Sequence, residues 1–499
     1  MNSTELSGNN LRFLLGIKLR QSRQKKGFSL RQLAHKTNLS ISYLSEIEKG
    51  KKYPKLEKLL TLSRALGLSF DELVASHTDQ QLDPLSAILT SPVIQEFPFR
   101  MYGVSPEEML SLIANDLDKG SALIRTFLEI GQDYDMRVEH LLFAALRAYQ
   151  QMHQNYFEDL EEAAKRFVME QGWFTDTAPK LKQIRDFLLS KKFEIREEDL
   201  TRFPDLEGVR GFVVPGKKRK ILLEKSLSDI QKAFVLLRIA GAEVLDLPQL
   251  PPTASWASVA SFEQLLGNFK ASYFAGAVLM PRDKFVARLR GFFRSLRWDG
   301  QQFLTLIDES GVTPEMFLYR MSELLPRFLK LPNLVFMRFY RRSETDRIHL
   351  SKFFNLTPFY VPVGLGSREH YCRRWGAIKL LRELDPRDSQ PHTAVYQSHF
   401  VHRDISLFSI ALAGNTPGRP GHQTAGAVSF VMDDAFRRQV SFWDDPQVRR
   451  ESVHLTCERC PLPLAECAER VAPPVLYEAE QGQIRRENAL REAIRHFSD

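Results

Sequence analysis

The sequence predicts a multidomain chain with an all-α head at the N-terminus, a helical connector and two α+β domains. Its length of 499 residues corresponds to three or four domains of about 100–200 residues each. Its composition, with 43% hydrophobic and 26% charged residues, is typical of folded globular protein. Helical periodicity fills the first third of the chain, and strand-like apolar runs begin only near residue 208.

Membrane and secreted classes of protein are not expected. Charges interrupt every apolar stretch before it reaches the roughly 18–20 residues of a membrane span. The N-terminus has no apolar segment followed by a small-residue cleavage site, so we expect no signal peptide. Four cysteines are too few for a disulfide scaffold in a chain of this length. We therefore expect a cytoplasmic protein that does not act at membranes.

The positive charge of the chain is concentrated in one short segment. The whole chain has a net charge of +8, and residues 11–60 carry 13 Lys and Arg against 3 acidic residues. The rest of the chain is therefore close to neutral. A compact basic module on a neutral body favours a nucleic-acid-binding head. A solvated basic face without a partner is the alternative.

The same segment has the pattern of a small helical domain, which we place at residues 1–79. The first helix is expected to end near Gly27. Ser29 and Ser40 are suited to cap the second and third helices, with a turn at Asn38 and a further element that begins after Pro54. The expected core consists of Leu15, Leu19, Leu30, Leu33, Ala34, Ile41, Leu44, Ile47, Leu56, Leu59, Leu60 and Leu66.

Residues 29–54 read S-L-R-Q-L-A-x-K-x-x-L-S-x-S-Y-L-S-x-I-E-K-G-x-K-x-P. This pattern resembles the Cro/repressor type of helix-turn-helix, the xenobiotic-response-element class. The resemblance covers about residues 10–76. It implies that residues 29–37 form the first motif helix and residues 40–49 the recognition helix. It also implies that the protein binds a double-stranded DNA operator as a homodimer on two half-sites.

Nine side chains are candidate DNA contacts, and they lie on or beside the non-core face of the recognition helix. The expected base-edge contacts are Ser40, Ser42, Tyr43 and Glu46, with Gln32 and Ser45 as weaker candidates better suited to phosphate. The expected phosphate contacts are Lys49, Lys51 and Lys52. We expect Glu48 to form an internal salt bridge instead.

Residues 80–184 are predicted to be a helical connector, and the polar stretch at residues 77–84 is the expected linker at its start. The run at 139–171 has a helical apolar face and no strand signal. It is either a dimerisation helix or a packed spacer.

Residues 185–330 are predicted to form an α+β domain of two strands followed by two helices. The order resembles the ImmA/IrrE-type zinc peptidases, in which an H-E-x-x-H helix and a later helix supply the zinc ligands. At the corresponding positions this chain has Arg238, Ile239 and Ala242, and Lys270 replaces the third ligand. The domain is therefore expected to be a degenerate zincin-like domain without catalysis.

The loss of the zinc ligands leaves two cations, Arg238 and Lys270, at the predicted cleft. We expect them to form a site for an anionic ligand. The alternative is that both are surface residues or are paired with carboxylates.

Residues 331–499 are predicted to form an α+β C-terminal domain with a helical tail. The domain holds all four cysteines of the chain, Cys372, Cys457, Cys460 and Cys467, three of them in a C-x2-C-x6-C run. Such a clustered set of thiols can hold zinc in a closed tetrahedral site or an iron–sulfur cluster. Four thiols without a ligand are the third possibility.

Short motifs in the body resemble the short-chain fatty acyl transcriptional regulators. The family's N-F-A-A-A-x-L-M-P helix matches residues 272–281, and its C-P-L-W element matches residues 372–375. Its terminal cysteine motif matches T-C-E-R-C-P-L-P-L-A-E-C, with two residues inserted before Cys467. The resemblance implies one four-cysteine site, holding a 4Fe-4S cluster or zinc. It also implies a short-chain acyl-CoA effector, whose phosphates would suit Arg238 and Lys270, and control of fatty-acid, propionate or acetate metabolism.

Three functions from different classes are compatible with these features. A transcriptional regulator that responds to acyl-CoA or to redox state accounts for the basic head, the lost zinc ligands and the cysteines together. A repressor or antitoxin-like protein regulated purely by protein contacts is the alternative. An active metallopeptidase is disfavoured because its zinc ligands and its general base are replaced, and we expect no enzyme.

Overall fold

The computed structural model describes residues 8–74, 138–173, 179–203, 206, 208–214, 216, 219–247, 253, 261–342, 347–357, 361, 369–388, 390–403, 405–416 and 421–498. The chain divides into two compact units. The first comprises Met1–Leu146 with Ala260–Phe262, and the second comprises Arg147–Val259 with Glu263–Asp499. The expected boundaries at 184/185 and 330/331 fall inside the second unit. The expected linker at 77–84 lies outside the described residues.

The described part of the N-terminal region is helical. It contains α1 (Gly8–Lys25), α2 (Leu30–Thr37), α3 (Ile41–Glu48), α4 (Leu56–Leu66) and α5 (Phe70–Val74). The fully buried side chains of the core come from the first four of these helices, as the sequence predicts. They are Leu19, Leu33, Leu44, Ile47, Leu62 and Leu66.

Three expected core residues of this region are exposed. Ile41 is 45% exposed, Leu56 is 61% exposed and Leu60 is 37% exposed. Ile41 and Leu56 are the first residues of their helices. Because a helical side chain covers the turn on its N-terminal side, a side chain at the first position points beyond the helix instead of onto the core. Leu60 lies one turn after Leu56 on the same face of α4.

Helix α1 packs closely on α3. A Cβ at Gly16 would lie 2.4 Å from the Ile47 carbonyl oxygen, so only glycine permits this approach. Arg23 joins the same two helices, since its Nε and Nη2 donate to the two carboxylate oxygens of Glu48 at 2.6 and 2.9 Å. The internal salt bridge expected of Glu48 is therefore confirmed.

The predicted helical run at 139–171 is two helices, α6 (Val138–Met152) and α7 (Glu158–Glu170). Gln154 and Asn155 between them have φ values of 51° and 56°, which end the first helix. In the second unit, the apolar face of α7 is buried at Leu160, Ala163, Ala164 and Phe167. This burial fits the packed-spacer alternative for α7.

The first part of the second unit is a small sheet with helices. It consists of α8 (Leu181–Ser190), β1 (Phe193–Glu198), β2 (Gly211–Val214), β3 (Arg219–Glu224), α9 (Asp229–Val244) and α10 (Phe262–Leu279). The strand order is β1-β3-β2, with β1 parallel and β2 antiparallel to β3. Ser228 caps α9 through a capping box with Gln231. The predicted order of two strands and two helices is present, and the zincin-like assignment stays a prediction.

Strand β1 was not predicted, because its sequence FEIREE is mostly charged. Helix α10 ends at Leu279, and Pro281 is the N-cap of a new helix. The chain continues as α11 (Arg282–Phe293), α12 (Gly300–Glu309) and α13 (Pro314–Phe328).

A six-stranded sheet forms the C-terminal part of the second unit, in the order β5-β4-β8-β7-β6-β9. Its neighbours are antiparallel except for the parallel pair β6 and β9. The strands are β4 (Leu334–Arg342), β5 (Ile348–Asn355), β6 (His392–Phe400), β7 (Ile405–Asn415), β8 (His422–Val431) and β9 (Arg449–Val453). The helices are α14 (Gly376–Glu383), α15 (Asp434–Gln439) and α16 (Val475–Ser498). None of the helices that the structure describes has the length and apolar character to span a membrane.

A buried ion network joins three helices of the second unit. Arg320 of α13 is 1% exposed. Its guanidinium contacts both carboxylate oxygens of Glu161 on α7, at 2.8 and 3.0 Å, and Glu323 Oε2 at 2.9 Å. The Tyr273 hydroxyl of α10 donates to Glu161 at 2.8 Å, and Arg320 Nε donates to the Met280 carbonyl at 3.2 Å.

We expect Glu161→Ala to destabilise the protein by about 3–5 kcal/mol, because it leaves the guanidinium of Arg320 buried with one carboxylate fewer. Chemical denaturation of the full chain, followed by far-UV circular dichroism, measures the effect. Glu158→Ala is the matched control on the same helix. Its carboxylate pairs with Arg282 but is 50% exposed, so its loss should cost less than about 1 kcal/mol. Equal losses for the two variants would contradict the importance of the buried network.

Candidate functional site

Two serines fix the ends of the helices in the N-terminal motif. The Ser29 Oγ accepts from the Gln32 backbone N–H at 3.2 Å, and Gln32 Oε1 accepts from the Ser29 N–H at 2.7 Å. The Ser40 Oγ accepts from the Tyr43 N–H at 3.1 Å. Asn38 closes α2 with a left-handed φ of 53°. Gln32 and Ser40 therefore have structural roles as caps in addition to their expected DNA contacts.

The other candidate DNA contacts surround α3. Ser42, Lys49, Lys51 and Lys52 are exposed, and Tyr43, Ser45 and Glu46 are half-buried. Glu46 Oε2 pairs with Lys52 Nζ at 2.7 Å, so part of the charge of this lysine is already balanced. The ring of Tyr43 lies beneath the Nζ of Lys58 at 4.3 Å from the centroid. Hydroxyl groups thus lie on a short helix, where they suit contacts to base edges. Ammonium groups lie at the C-terminal end of that helix, where they suit contacts to phosphates.

The second unit contains a cavity of about 740 Å³ between its small sheet and its large sheet. Six of its lining side chains are Arg or Lys and three are Glu. Position 276 on α10 is a glycine, and a Cβ there would meet nothing within 4 Å, so the helix leaves open space at this wall. The basic lining residues are Arg210, Arg238, Arg320, Arg338, Arg342 and Lys352, and the acidic ones are Glu224, Glu315 and Glu323.

Arg238 is 4% exposed and lies in the wall of this cavity. Its guanidinium donates to the Ser272 hydroxyl at 3.1 Å, to the Thr253 hydroxyl and to the Asn268 side-chain oxygen. All three acceptors are neutral, and within the described residues no carboxylate forms an ion pair with Arg238. Burial, together with the nearby charge of Arg210, lowers the pKa of Arg238 to about 10.

Lys270 does not share the cavity with Arg238, contrary to the expectation from the sequence. The residues of α10 that line the cavity are Asn268, Ser272 and Gly276, which recur every four residues along one helix face. Lys270 lies two positions from Asn268, about 200° around the helix. The side chains of Asn268 and Ser272 contact Arg238 instead.

The side of the cavity nearer the large sheet carries both positively and negatively charged side chains. Arg338 Nε pairs with Glu315 Oε2 at 2.9 Å. The ammonium of Lys352 lies 3.3 Å from the ring centroid of Tyr319. Burial lowers the pKa of Lys352 to about 8, and it raises the pKa of Glu323 to about 7 against the opposing effect of Arg320. The charges on this side are thus balanced by neighbours, whereas that of Arg238 is not.

The four cysteines are buried in two adjoining loops, one before α14 and one after β9. Each is 3–5% exposed. The Cys372 N–H donates to the Leu455 carbonyl at 3.1 Å, and the Cys457 N–H donates to the His370 carbonyl at 2.9 Å. These backbone hydrogen bonds hold the loops side by side. Cys372 is in electrostatic range of Cys457 and Cys460, and Cys467 is in range of the same two residues.

The environment of the sulfurs combines burial with backbone donors. Burial raises the pKa of Cys372 to about 12, while backbone N–H groups of His454 and Arg374 act in the opposite direction. The Val471 N–H acts in the same way on Cys457. Over the described ranges, no three His, Cys, Asp or Glu side chains are arranged to hold a metal ion. The metal site therefore stays a prediction.

Comparisons with known proteins identify the N-terminal motif. The HTH_3 (helix-turn-helix) family model matches residues 19–73. The control protein C.BamHI of Bacillus amyloliquefaciens is 37% identical over 67 residues, which are 13% of this chain and 83% of that protein. The chain belongs to the helix-turn-helix family of transcriptional regulators. Helix-turn-helix regulators bind DNA.

Two longer matches extend into the body of this helix-turn-helix regulator. A propionyl-CoA carboxylase regulator of Cereibacter sphaeroides is 20% identical over 361 residues, 69% of this chain and 72% of that protein. Among solved structures, a Mycobacterium tuberculosis transcriptional regulator is 20% identical, with a TM-score of 0.46 over 66% of this chain and 93% of that chain.

Sequence analysis missed several residues of the regulator that the structure places at its sites. Lys58 follows the motif and was treated only as part of the basic segment. Arg210 lies beside a predicted strand, in a run that was examined only for its strand pattern. Lys352 belongs to β5, a strand that was not predicted.

We expect Lys51→Met to reduce the slope of log K against log salt by about one for DNA binding, because one phosphate contact is lost. Lys52→Met should reduce the slope less, since Glu46 already pairs with Lys52. Fluorescence anisotropy with a generic duplex at several salt concentrations measures both slopes. The control is Lys182→Met, which removes an exposed lysine of α8 in the second unit. A slope unchanged by Lys51→Met would exclude a phosphate contact at this residue.

Proposed function

We propose that this protein is a transcriptional regulator that binds operator DNA through α2 and α3 and binds a short-chain acyl-CoA in the cavity of its second unit. The observation that carries the effector proposal is Arg238, a buried guanidinium at the cavity wall with three neutral hydrogen-bond partners. The ligand supplies the anion that the described residues do not provide.

The energetics of burial support an anionic ligand. Taking a cation out of water costs several kcal/mol unless an opposite charge compensates it. Arg320, in the same unit, meets this requirement with two carboxylates, at 2.8 and 2.9 Å. Arg238 has no such partner among the described residues and lies close enough to Arg210 for their charges to repel. A phosphate beside Arg238 would remove both penalties, and guanidinium groups bind phosphate with two parallel hydrogen bonds.

The size and polarity of the cavity are compatible with this class of ligand. Sites for small molecules and cofactors commonly have volumes of about 300–1,000 Å³, and this cavity has about 740 Å³. The lining also contains the apolar side chains Phe234, Met280 and Met316, which suit an acyl chain. A relative with 20% identity is named for the regulation of a propionyl-CoA carboxylase. That name favours a short-chain acyl-CoA over other phosphorylated ligands, as does the family resemblance in the motifs of the body.

We further propose that the second unit has no catalytic activity. By the resemblance to the zinc peptidases, Arg238, Ile239 and Ala242 replace the two histidines and the glutamate of the zinc-binding helix, and Arg238 and Ile239 are buried. An arginine cannot ligate zinc, and an isoleucine cannot act as the general base. A role in binding is the function that these residues retain.

We expect Arg238→Met to weaken the binding of propionyl-CoA at least tenfold, since a charge-assisted hydrogen bond to phosphate is worth about 1.5–3 kcal/mol. Isothermal titration calorimetry on the full chain gives the dissociation constant, and thermal unfolding checks that the variant is folded. Lys270→Met is the matched control, because Lys270 replaces the other lost ligand position but lies away from the cavity face of α10. Arg238→Lys, which keeps the charge, should give an intermediate affinity.

The outcomes of this experiment separate the alternatives. A folded Arg238→Met variant with unchanged affinity would exclude the contact with phosphate. Absence of binding by the unaltered protein, together with operator affinity indifferent to acyl-CoA, would favour the repressor or antitoxin-like alternative that is regulated by protein contacts. A larger effect of Lys270→Met than of Arg238→Met would reverse the assignment of the two cations.

We also propose that Cys372, Cys457, Cys460 and Cys467 bind a metal centre, either zinc or a 4Fe-4S cluster. The residue type favours this proposal: thiolates are good ligands for both centres, each of the four thiols is buried, and backbone N–H groups act on two of the sulfurs. As described, the side chains are not arranged to hold an ion, so the proposal rests on the donor type and on the pairing of the two loops. Zinc would supply structural stability, and an iron–sulfur cluster would supply one-electron redox chemistry. In either case these residues would hold the group at the junction of the two loops.

We expect Cys460→Ser to lower the bound zinc or iron of anaerobically purified protein by more than half, because three thiols hold either centre less tightly than four. Elemental analysis with assay of acid-labile sulfide measures metal and cluster content. Thr456→Ser, in the same loop, is the control and should retain the content of the unaltered protein. Unaltered protein that is free of both metals would make the four cysteines structural thiols.

A further inference from the structure

Lys352 of β5 presents an amine to the cavity of the second unit. Among the described residues that line this cavity it is the only lysine, and no cysteine is present. The other permanent cations of the lining are arginines, which keep their proton, whereas a lysine can lose its proton and then carries a reactive lone pair. Lys352 is therefore the amine nucleophile that the described lining offers to a bound ligand.

The ammonium of Lys352 lies over an aromatic ring instead of beside a carboxylate. Its Nζ is 3.3 Å from the ring centroid of Tyr319. Within the described ranges this Nζ forms neither an ion pair nor a hydrogen bond. The ring itself is held in place, since Gln150 Nε2 donates to the Tyr319 hydroxyl at 3.0 Å. The amine thus has a fixed position at the wall of the cavity without a hydrogen bond that would occupy its lone pair.

The nearest carboxylates are already engaged by arginines. Glu315 and Glu323 lie on α13, one turn before and one turn after this ring. Glu315 pairs with Arg338 at 2.9 Å, and Glu323 pairs with Arg320 at 2.9 Å. Neither carboxylate is therefore dedicated to Lys352, and both act on its charge only at a longer distance.

The surroundings of Lys352 favour its neutral form. Arg338 is its cross-strand partner in the register of β4 and β5. Burial lowers the pKa of Lys352 to about 8, with the charges of Arg338 and Arg210 acting in the same direction and those of Glu315 and Glu323 opposing them. An ordinary lysine has a pKa of about 10.4. Near pH 8 a large share of Lys352 is therefore the free amine, which is the form that attacks carbonyl groups.

Lys352 and Arg238 line the same cavity from different sides. Arg238 belongs to α9, which follows the small sheet in the chain, and Lys352 belongs to β5 of the large sheet. An acyl-CoA has its phosphates towards one end and its thioester at the other. A molecule whose phosphates lie at Arg238 can therefore extend its thioester towards the wall that carries Lys352. Met316, an apolar lining residue suited to the acyl chain, lies on α13 three residues before Tyr319.

We propose that Lys352 is acylated by the short-chain acyl-CoA of this cavity, an inference that rests on the proposed function. The neutral amine attacks the carbonyl carbon of the thioester, and the bond between that carbon and sulfur breaks. The nitrogen gives up a proton to the departing thiolate, so the products are one amide and free coenzyme A, with no further reactant. The amide is stable, so each protein molecule reacts once and no catalytic turnover results.

Acylation changes the charge of the cavity wall. The amide is neutral, so the positive charge of Lys352 and its attraction to the ring of Tyr319 are lost. Glu315 and Glu323 then keep only their arginine partners. A regulator with such a site retains a mark of the acyl-CoA after coenzyme A has left.

The modification is tested on the full chain with propionyl-CoA near pH 8, by intact mass spectrometry and peptide mapping. We expect Lys352 to be acylated about tenfold faster or more than Lys182, an exposed lysine of α8, because amine and thioester are held in one cavity. Lys352→Arg, which keeps the charge, should lose this modification, and Lys182→Arg is the matched control that should retain it. Lys352 modified no faster than Lys182, in protein that binds propionyl-CoA by calorimetry, would overturn the inference while the proposed function stands.

A small thioester separates the inference from the proposed function. Propionyl-N-acetylcysteamine has the same reactive group and no phosphates. Arg238→Met should slow acylation by dilute propionyl-CoA about tenfold and leave acylation by the small thioester unchanged. Acylation of Lys352 by propionyl-CoA that Arg238→Met does not slow would support Lys352 as the reacting amine and contradict the phosphate contact at Arg238. Preference for Lys352 with neither thioester would overturn the inference.

The pH profile distinguishes an activated amine from one that is merely accessible. The acylation rate of Lys352 should rise with pH, because the amine must lose its proton, and it should level off above the pKa of about 8. The rate for free Nα-acetyl-lysine in the same solution should continue to rise towards about pH 10. Parallel profiles for the two amines would contradict activation of Lys352 by its surroundings.

Discussion

Arg320 is almost fully buried, so its charge has to be balanced inside the second unit. The balance comes from Glu161, which is 159 residues away in the chain, and from Glu323 on the same helix. Tyr273 of α10 completes the arrangement through Glu161. Because an unbalanced buried charge costs several kcal/mol, helices α7, α10 and α13 can pack only in the arrangement that brings these groups together. The network therefore specifies the arrangement of the helices more than it adds to stability.

The same arrangement determines the shape and the electrostatics of the cavity. Arg320 and Glu323 line it, and the Met280 carbonyl that accepts from Arg320 lies at the end of the α10 face that forms one wall. Two arginines thus line one cavity but differ in how their charges are balanced. The charge of Arg320 is balanced by carboxylates, whereas the charge of Arg238 meets hydroxyl and amide oxygens. This difference between the two arginines is the observation that supports the proposal of an external anion at Arg238.

The sequence predicts the features that depend on neighbours along the chain. Ser29 and Ser40 identify the starts of α2 and α3, since a capping hydroxyl acts on an N–H three residues away. Features that depend on distant residues were missed or misplaced. The pairing of Lys270 with Arg238 was inferred from a motif alignment. In the structure the cavity-lining residues Asn268 and Ser272 are one helical turn apart on one face of α10, and Lys270 lies on another face of that helix. Strand β1 is mostly charged and is stabilised by its parallel pairing with β3, for which it carries no local signal.

The proposed effector site has a thermodynamic consequence. A ligand in the cavity changes operator affinity only to the extent that it binds two states of the protein with different affinity, and the operator must then change ligand affinity by the same factor. Regulation by the proposed effector therefore requires that its affinity differ between the operator-bound and the free protein.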